Sequence, residues 1–218
     1  MHEDKTIVAL DMPTLKDNLN LIDKLQDHQW YKTGLNFVTQ NGFDAVQNLA
    51  RYKNVFLDLK LYDIGNTVQD AVRNVADMGV KFLTVMGDPH IIDAASKVKG
   101  DVKILAVTIL TSLNRHDLNM NLIKDGDLTH IVEQRTDLAF RFGADGVICS
   151  PQETKLVRKN YLDKLIVTPG IRSQYGDYMG DQKRVATRNK AIKDGADYVV
   201  IGRPVYKSTN PLEALRSI

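Results

Sequence analysis

Residues 54–78 read NVFLDLKLYDIGNTVQDAVRNVADM, a short apolar run followed by a longer amphipathic segment. The run 54–60 is rich in Val, Leu and Phe, which is typical of a β-strand. Residues 68–78 combine apolar and polar side chains in the manner of a helix that buries one of its faces. The stretch therefore predicts one strand followed by one helix.

The same unit recurs along the whole chain. Eight β-type runs precede longer helix-type segments, at residues 6–11, 30–35, 54–60, 81–86, 102–110, 144–150, 164–168 and 198–202. Most are continuous Val, Ile and Leu stretches, as in parallel strands buried on both faces. Eight such units predict a (β/α)8 TIM barrel. The alternative is an open doubly wound sheet, but no G-x-G-x-x-G follows the first run, which disfavours its dinucleotide-binding version.

Composition narrows the class of protein. The chain has 218 residues, 43% of them hydrophobic, and no linker rich in Pro, Gly or Ser divides it, so we expect a single domain over residues 1–218. Lys and Arg number 29 and Asp and Glu 27, a net charge of +2, which argues against nucleic acid or an anionic membrane as the main partner. Acidic residues near the N-terminus and the lack of a long apolar stretch predict a cytoplasmic protein.

Charged residues interrupt the apolar run of residues 54–60. Asp58 and Lys60 are two residues apart in a strand, so their side chains leave on the same side, towards the barrel mouth. Charges in such a site are tolerated mainly when they are paired, and Asp63 in the following loop is placed to join them. Two alternatives remain open: a solvated cluster at a strand end, and a magnesium site that uses Asp58 and Asp63.

A second group of candidates follows the last two strands. Residues 168–172 read TPGIR and residues 201–204 read IGRP. TIM barrels often bind phosphate with the loops after strands seven and eight. Gly170 and Gly202 allow close backbone approach, and Arg203 offers a fork of donors, which favours a phosphate site. The alternative is that Gly-Arg-Pro is a common loop tripeptide.

Other candidates are weaker when each is taken alone. Asp11 ends the first strand and Lys32 lies in the second, while Thr111 and Ser112 follow the fifth. Two connections, residues 111–127 and 169–182, are longer than a barrel needs and follow strands, so we expect them at the C-terminal end of the barrel, where long loops often serve as lids. Gln182, at the end of the second connection, is a candidate lid contact.

Taken together, these segments resemble the orotidine 5′-monophosphate decarboxylase family in its bacterial form. Residues 56–67, FLDLKLYDIGNT, match its signature of an Asp, a Lys two residues later, Asp-Ile three residues after that, and a Thr. Further matches are found at residues 9–11, 32–34, 107–112, 146–150, 168–172, 180–184 and 201–204. The resemblance covers nearly the whole chain and implies a TIM-barrel decarboxylase that converts orotidylate to uridylate in pyrimidine synthesis without a metal or an organic cofactor.

The resemblance also implies a catalytic group of charged residues. Lys60 corresponds to the proton donor to C6 of the pyrimidine, Asp58 to the acid beside the substrate carboxylate, and Lys32 to a member of the same network that reaches the ribose. Asp63 and Thr67 correspond to residues supplied across the interface of a homodimer with shared active sites.

Further residues correspond to substrate contacts. Asp11 is expected to hold the ribose, and Thr111, with Ser112, to read the pyrimidine edge. The residues expected around the phosphate are Arg172, Gln182, Gly202 and Arg203.

Some observations leave rival functions open. Met86 stands where many family members have His, which puts one detail around the charged cluster in doubt. Relatives on the same barrel, the 3-keto-gulonate-phosphate decarboxylases and hexulose-phosphate synthases, share Asp-x-Lys-x-x-Asp but use a magnesium-stabilised enediolate. The Asp63-Ile64 pair, Thr67 and the Gly-Asp-Gln at residues 180–182 favour orotidylate. A non-catalytic phosphate-binding barrel is a rival from another class.

Overall fold

The computed structural model describes residues 5–123, 126–172 and 184–218 and shows a closed barrel of eight parallel strands. Strand order around the barrel follows chain order, and β8 pairs with β1. The strands are β1 (Thr6–Ala9), β2 (Trp30–Gly34), β3 (Asn54–Leu61), β4 (Phe82–Met86), β5 (Lys103–Val107), β6 (Gly146–Ile148), β7 (Leu165–Thr168) and β8 (Tyr198–Ile201). The predicted TIM barrel is confirmed, and the open sheet is wrong.

Helices alternate with the strands and cover the outside of the barrel. They are α1 (Leu15–Lys24), α2 (Leu35–Ala50), α3 (Gly65–Ala76), α4 (Pro89–Ser96), α5 (Arg115–Met120), α6 (Leu128–Arg141), α7 (Thr154–Asn160), α8 (Arg188–Lys193), α9 (Arg203–Tyr206) and α10 (Pro211–Ser217). Helix α3 starts three residues before the predicted segment 68–78, because the loop after β3 is shorter than expected. None of the helices in the described ranges is both long and apolar enough to cross a membrane.

Several strands are shorter than the apolar runs that predicted them. The run 102–110 contains β5 only as Lys103–Val107, and the run 144–150 contains β6 only as Gly146–Ile148. Ile109 and Leu110 follow β5 and line the cavity at the barrel mouth. An apolar run therefore overstates a strand where its last residues line a cavity instead of pairing.

Strand alternation separates two hydrophobic cores. One lies between the strands and the helices and contains Leu57 and Leu83, with Leu59 and Leu61 packed against it. The other fills the barrel interior, and its members are Ile7, Ala9, Phe56, Phe82, Leu105, Val107, Ile148, Val167 and Val200. Residues of β3 at even positions therefore point into the barrel, as the two-residue spacing of Asp58 and Lys60 predicts.

Aromatic side chains close the N-terminal end of the barrel. Trp30, Phe82 and Tyr198 are each the first residue of their strand, and the Trp30 ring lies 4.8 Å, centroid to centroid, from both of the others. Because these rings fill the interior at that end, the open space of the barrel lies at the C-terminal ends of the strands. This is the end at which TIM barrels carry their chemistry.

The two long connections differ in how far they are described. The first, residues 111–127, contains α5, which begins with a capping box between Asn114 and Asp117. Of the second, residues 169–182, only the first four residues lie within the described part of the chain. The predicted lid contact Gln182 therefore lies outside the described residues.

The barrel wall leaves no room for a side chain at Gly146. A Cβ atom there would lie 2.6 Å from the Leu165 Cβ atom and 2.8 Å from Leu105 Cδ2. We expect Gly146→Ala to lower the free energy of unfolding by about 2 kcal/mol, because overpacking forces neighbouring strands apart. Gly65→Ala is the matched control, since a Cβ there would lie 3.7 Å from the Ala94 Cβ atom, and its effect should stay below about 1 kcal/mol. Urea unfolding measures both; equal effects would contradict the packing argument.

Candidate active site

A cavity of about 520 Å³ opens at the C-terminal end of the barrel. This volume lies within the range of sites for small organic ligands. Ten residues singled out from the sequence line it: Asp11, Lys32, Asp58, Lys60, Thr111, Ser112, Gly170, Arg172, Gly202 and Arg203. The fold therefore brings together residues from β2 and β3, from the loops after β1, β5, β7 and β8, and from the start of α9.

Four of these residues form a chain of alternating charges. The Lys60 Nζ atom donates to Asp58 Oδ1 at 2.8 Å, and Lys32 Nζ lies 3.7 Å from Asp58 Oδ2. Lys32 Nζ also donates to Asp11 Oδ1 at 3.3 Å. The side chains of Lys32 and Asp58 are only 12% and 14% exposed, whereas those of Lys60 and Asp11 are 36% and 37% exposed. The buried middle of the chain is thus paired on both sides, and its outer ends reach the cavity.

Ion pairing outweighs burial in setting the protonation states of Lys32 and Asp58. Burial alone would lower the pKa of Lys32, but the carboxylates of Asp58 and Asp11 outweigh it and raise the pKa above its ordinary value. Burial alone would raise the pKa of Asp58, but Lys32 and Lys60, with hydrogen bonds from Lys60 and Thr84, hold it below its ordinary value. Both groups are therefore ionised at neutral pH.

The backbone of β3 is irregular at Lys60. Pairing between β3 and β4 advances four residues along β3, from Leu57 to Leu61, while it advances two along β4, from Leu83 to Val85. Within this bulge Lys60 has φ +52°, a left-handed conformation that costs a lysine on the order of 1 kcal/mol. The Lys60 N–H donates to the Thr84 hydroxyl at 2.9 Å instead of to a strand carbonyl.

The opposite wall of the cavity carries the cationic side chains that follow β7 and β8. Arg172 and Arg203 are both half-buried and line the cavity with Gly170 and Gly202. Gly170 has φ +82°, a conformation that favours glycine, so the turn after β7 depends on this residue. Two guanidinium groups on one wall are suited to an anionic group such as a phosphate ester.

The loop after β5 forms a third wall. Thr111 is buried and Ser112 half-buried, and both line the cavity beside Leu110. The Leu110 carbonyl accepts a hydrogen bond of 3.2 Å from Arg184, which forms a buried ion pair with Glu153. The loop that carries the two hydroxyl groups is thus anchored to the elements after β6 and β7.

Two predicted residues lie away from the cavity of their own chain. Asp63 and Thr67 are exposed, and neither lines the cavity. The Asp63 Oδ1 atom accepts a 2.7 Å hydrogen bond from the N–H of Ile64. Within one chain Asp63 therefore does not join the cluster of Asp58 and Lys60, and the magnesium site that would use Asp58 and Asp63 is not assembled. Across the described ranges, no group of three or more His, Cys, Asp or Glu side chains is arranged to hold a metal ion.

Two residues that contact the charged chain escaped the sequence reasoning. Thr84 in β4 is the only polar residue in a strand that reads FLTVM, and its hydroxyl donates to Asp58 Oδ1 at 2.9 Å. Gly34 leaves the space that the Lys32 ammonium occupies, since a Cβ at Gly34 would lie 3.1 Å from Lys32 Nζ. The available signals were a lone hydroxyl in an apolar strand and a glycine two residues after a strand lysine.

Two further residues, Met86 and Cys149, lie outside the charged group formed by Asp11, Lys32, Asp58 and Lys60. Met86 is half-buried in the barrel interior and packs against the inner core. Cys149 is fully buried, and burial, followed by the negative charge of Glu153, raises its pKa to about 12. Its thiol is therefore not available as a nucleophile at neutral pH.

Comparisons with known proteins agree with this geometry. The orotidine 5′-phosphate decarboxylase of Ruegeria pomeroyi is 49% identical over 99% of this chain and 92% of its own length. That of Jannaschia sp. is 46% identical over 100% of this chain and 98% of its own length. The crystal structure of orotidine 5′-phosphate decarboxylase from Lactobacillus acidophilus superimposes with a TM-score of 0.85 at 32% identity, covering 97% of this chain and 95% of that one. The profile of one family matches residues 4–218, so the chain belongs to the orotidine 5′-phosphate decarboxylase / HUMPS family.

Proposed function

We propose that the protein decarboxylates orotidine 5′-monophosphate to uridine 5′-monophosphate in pyrimidine biosynthesis, with Lys60 delivering the proton to C6 and no cofactor taking part. Family membership and the named relatives support the overall reaction. The observation that carries the mechanism is the position of Lys60. Its ammonium group lines the cavity and is held 2.8 Å from Asp58.

Loss of carbon dioxide creates a charge that the enzyme has to stabilise. The bond between C6 and the carboxylate carbon breaks, and its electron pair stays on C6. Enzymes lower barriers of such slow reactions by as much as about 20 kcal/mol. An ammonium group next to C6 stabilises the developing negative charge and then transfers a proton to it, which leaves a neutral amine. Lys60 is suited to both tasks because it lines the cavity while remaining paired.

Asp58 acts on Lys60 and on the leaving group. Asp58 Oδ1 accepts a 2.8 Å hydrogen bond from Lys60 Nζ, which holds the ammonium group in place at the cavity. Because Asp58 is ionised, it also places a negative charge close to where the substrate carboxylate would lie beside Lys60. That repulsion is relieved as carbon dioxide leaves, which favours the transition state over the bound substrate.

The other walls supply binding contacts. Thr111 and Ser112 offer hydroxyl groups to the pyrimidine edge, and Asp11 and Lys32 lie where the ribose would pass between base and phosphate. The group assigned to the phosphate consists of Arg172, Gly202, Arg203 and, outside the described residues, Gln182. Binding energy from this phosphate is remote from C6 and is available to orient the pyrimidine over Lys60.

We assign Asp63 and Thr67 to the active site of a partner subunit in a homodimer. Both are exposed, and neither lines the cavity of its own chain. Tyr62 and Ile64, which flank Asp63, are 65% and 71% exposed, and Leu35 at the start of α2 is 62% exposed. Apolar side chains exposed at the C-terminal end of the barrel fit burial against a second copy of the chain.

A reaction without a metal agrees with the partners of Asp58. One of its oxygens accepts from Lys60 and from Thr84, and the other lies close to Lys32. A dication bound there would compete with two ammonium groups for the same carboxylate. The donor set therefore favours chemistry by an ammonium group over a magnesium-stabilised enediolate.

Removal of Lys60 tests the reaction and the proton donor together. We expect the wild-type protein to form uridylate from orotidylate in the presence of EDTA, and Lys60→Ala to lower kcat at least about 1,000-fold, because proton donor and electrostatic stabiliser are lost together. Lys81→Ala is the control, since Lys81 is exposed at the opposite end of the barrel. Loss of absorbance of orotidylate measures the rate. Normal turnover by Lys60→Ala would contradict the mechanism, and inactivation by EDTA would favour the metal-dependent relatives.

Arg203 is expected to contribute to binding more than to the chemical step. Arg203→Ala should raise KM about 30-fold with a smaller change in kcat, because a charge-assisted hydrogen bond to phosphate is lost. Arg216→Ala is the control, since Arg216 is exposed in α10. Steady-state kinetics with orotidylate measures both constants. Unchanged values for Arg203→Ala would remove this residue from the site.

Mixed dimers test the shared site. Lys60→Ala and Asp63→Ala proteins should each be inactive alone, but a hybrid of the two has one site with both native residues. Random exchange at equal concentrations should restore about a quarter of the wild-type activity, because half of the dimers are hybrids and each has one intact site.

The control for this experiment mixes Lys60→Ala with Asp58→Ala. These two residues belong to the same chain's cavity, so the hybrids contain no intact site and should remain inactive. Native mass spectrometry confirms that subunits have exchanged. If Lys60→Ala and Asp63→Ala then show no recovery, Asp63 does not serve a partner's site.

A further inference from the structure

Thr84 occupies a place in the barrel that packing alone does not explain. It lies in the middle of β4, where its neighbours in the strand are all apolar, and its side chain is fully buried. Phe82, two residues earlier, belongs to the inner core, so Thr84 also points into the barrel interior. A hydroxyl group in this position needs partners, because an unpaired buried hydroxyl is unfavourable.

The partners of Thr84 are the two residues that carry the charge at the cavity. Its Oγ1 atom accepts from the Lys60 N–H at 2.9 Å and donates to Asp58 Oδ1 at 2.9 Å. The directions are unambiguous, since an N–H only donates and a carboxylate only accepts. The single hydroxyl proton is therefore committed to Asp58, and one oxygen atom links the Asp58 side chain to the Lys60 main chain.

The bond to Lys60 replaces a missing strand interaction. Pairing between β3 and β4 is interrupted between Leu57 and Leu61, and Lys60 has φ +52° within this interval. A left-handed lysine persists only when its surroundings enforce it. The Thr84 hydroxyl gives the Lys60 N–H a partner in this conformation, and the conformation sets the direction in which the lysine side chain leaves the strand.

The bond to Asp58 orients the carboxylate between two lysines. Asp58 Oδ1 accepts from both Thr84 and Lys60, which turns Oδ2 towards Lys32 at 3.7 Å. Without the hydroxyl, the carboxylate would be free to rotate towards either ammonium group. Burial, the largest influence, raises the pKa of Asp58; the two lysines outweigh it, and the hydrogen bond from Thr84 adds to their effect and helps to hold the pKa low.

We propose that Thr84 is a positioning residue for the decarboxylation: its hydroxyl fixes the Asp58 carboxylate and the Lys60 main chain relative to each other, so that the ammonium group is aimed at C6. This inference rests on the proposed function. Thr84 does not line the cavity, so it acts through Asp58 and Lys60 and not by contact with the substrate. A role confined to stability would lower kcat only in proportion to the fraction of protein that is unfolded, so a loss of kcat in fully folded protein distinguishes positioning from stability.

The test compares variants at Thr84 with a matched variant in β2. Thr84→Val keeps the shape and β-branching of the residue and removes only the hydroxyl. Thr33→Val makes the same change at a fully buried threonine whose hydroxyl has no partner among the described residues. We expect Thr84→Val to lower kcat about 30-fold with KM for orotidylate and the Kd of uridylate changed less than about threefold, because remote binding contacts remain. Thr33→Val should behave as the wild type.

Thr84→Ser and Thr84→Cys isolate the hydroxyl even if the valine variant does not fold. Both lack the same methyl group, but only serine restores a strong donor and acceptor. The serine variant should keep kcat within about threefold of the wild type, while the cysteine variant should lose about tenfold or more. Thermal unfolding of all variants, followed by circular dichroism, shows whether the kinetic losses occur in folded protein.

The outcomes separate this inference from the proposed function. A selective loss of kcat in the valine and cysteine variants, rescued by serine, supports it. A wild-type kcat for Thr84→Val, equal losses for serine and cysteine, or equal losses for Thr84→Val and Thr33→Val would each overturn it while leaving the decarboxylase activity intact. A wild-type protein that forms no uridylate would overturn both.

Discussion

The pairing of Lys32 with Asp58 and Asp11 is the interaction on which the rest of the site depends. Burial alone would drive a lysine towards its neutral form and an aspartate towards its protonated form. Because the side chains of Lys32 and Asp58 lie side by side in the barrel mouth, each keeps the other ionised. The outer members of the chain, Asp11 and Lys60, are then available to the cavity while remaining tied to a fixed, charged centre.

The two ends of the barrel interior carry different side chains, and this difference positions the charged group. Aromatic side chains of Trp30, Phe82 and Tyr198 fill the interior at the N-terminal end. In β2 and β4 the inward-pointing position two residues later carries a polar side chain, Lys32 and Thr84 respectively. Since β1 to β4 are neighbours in the sheet, Asp11, Lys32 and the β3 residues meet without any long excursion of the chain. The anion-binding wall forms across the mouth, at the ends of β7 and β8.

At Lys60, local backbone preference and the demands of the site disagree. A regular strand would give this lysine extended backbone and a strand partner for its N–H, whereas the structure has a bulge and φ +52°. The conformation is maintained by a buried hydroxyl from the neighbouring strand, and the charged end of the side chain is held by Asp58. Residues forced into sparsely populated conformations are concentrated at active sites, where the surrounding structure outweighs their cost. The irregularity thus agrees with the role proposed for Lys60.

The exposed residues after β3 connect the fold of one chain to the proposed assembly. Asp63 and Thr67 belong to the same signature as Asp58 and Lys60, yet the turn into α3 directs them out of the cavity.

The sequence alone determined the eight strand–helix units, the alternation of residues in β3 and most of the polar residues of the cavity, because these depend on local periodicity and on short spacings. Only the tertiary structure decided where the strands end, the bulge at Lys60, and the parts played by Thr84 and Gly34. Those features arise from contacts between neighbouring strands: a lone hydroxyl in β4 and a glycine after Lys32 are visible in the sequence, but the partners that they meet are not.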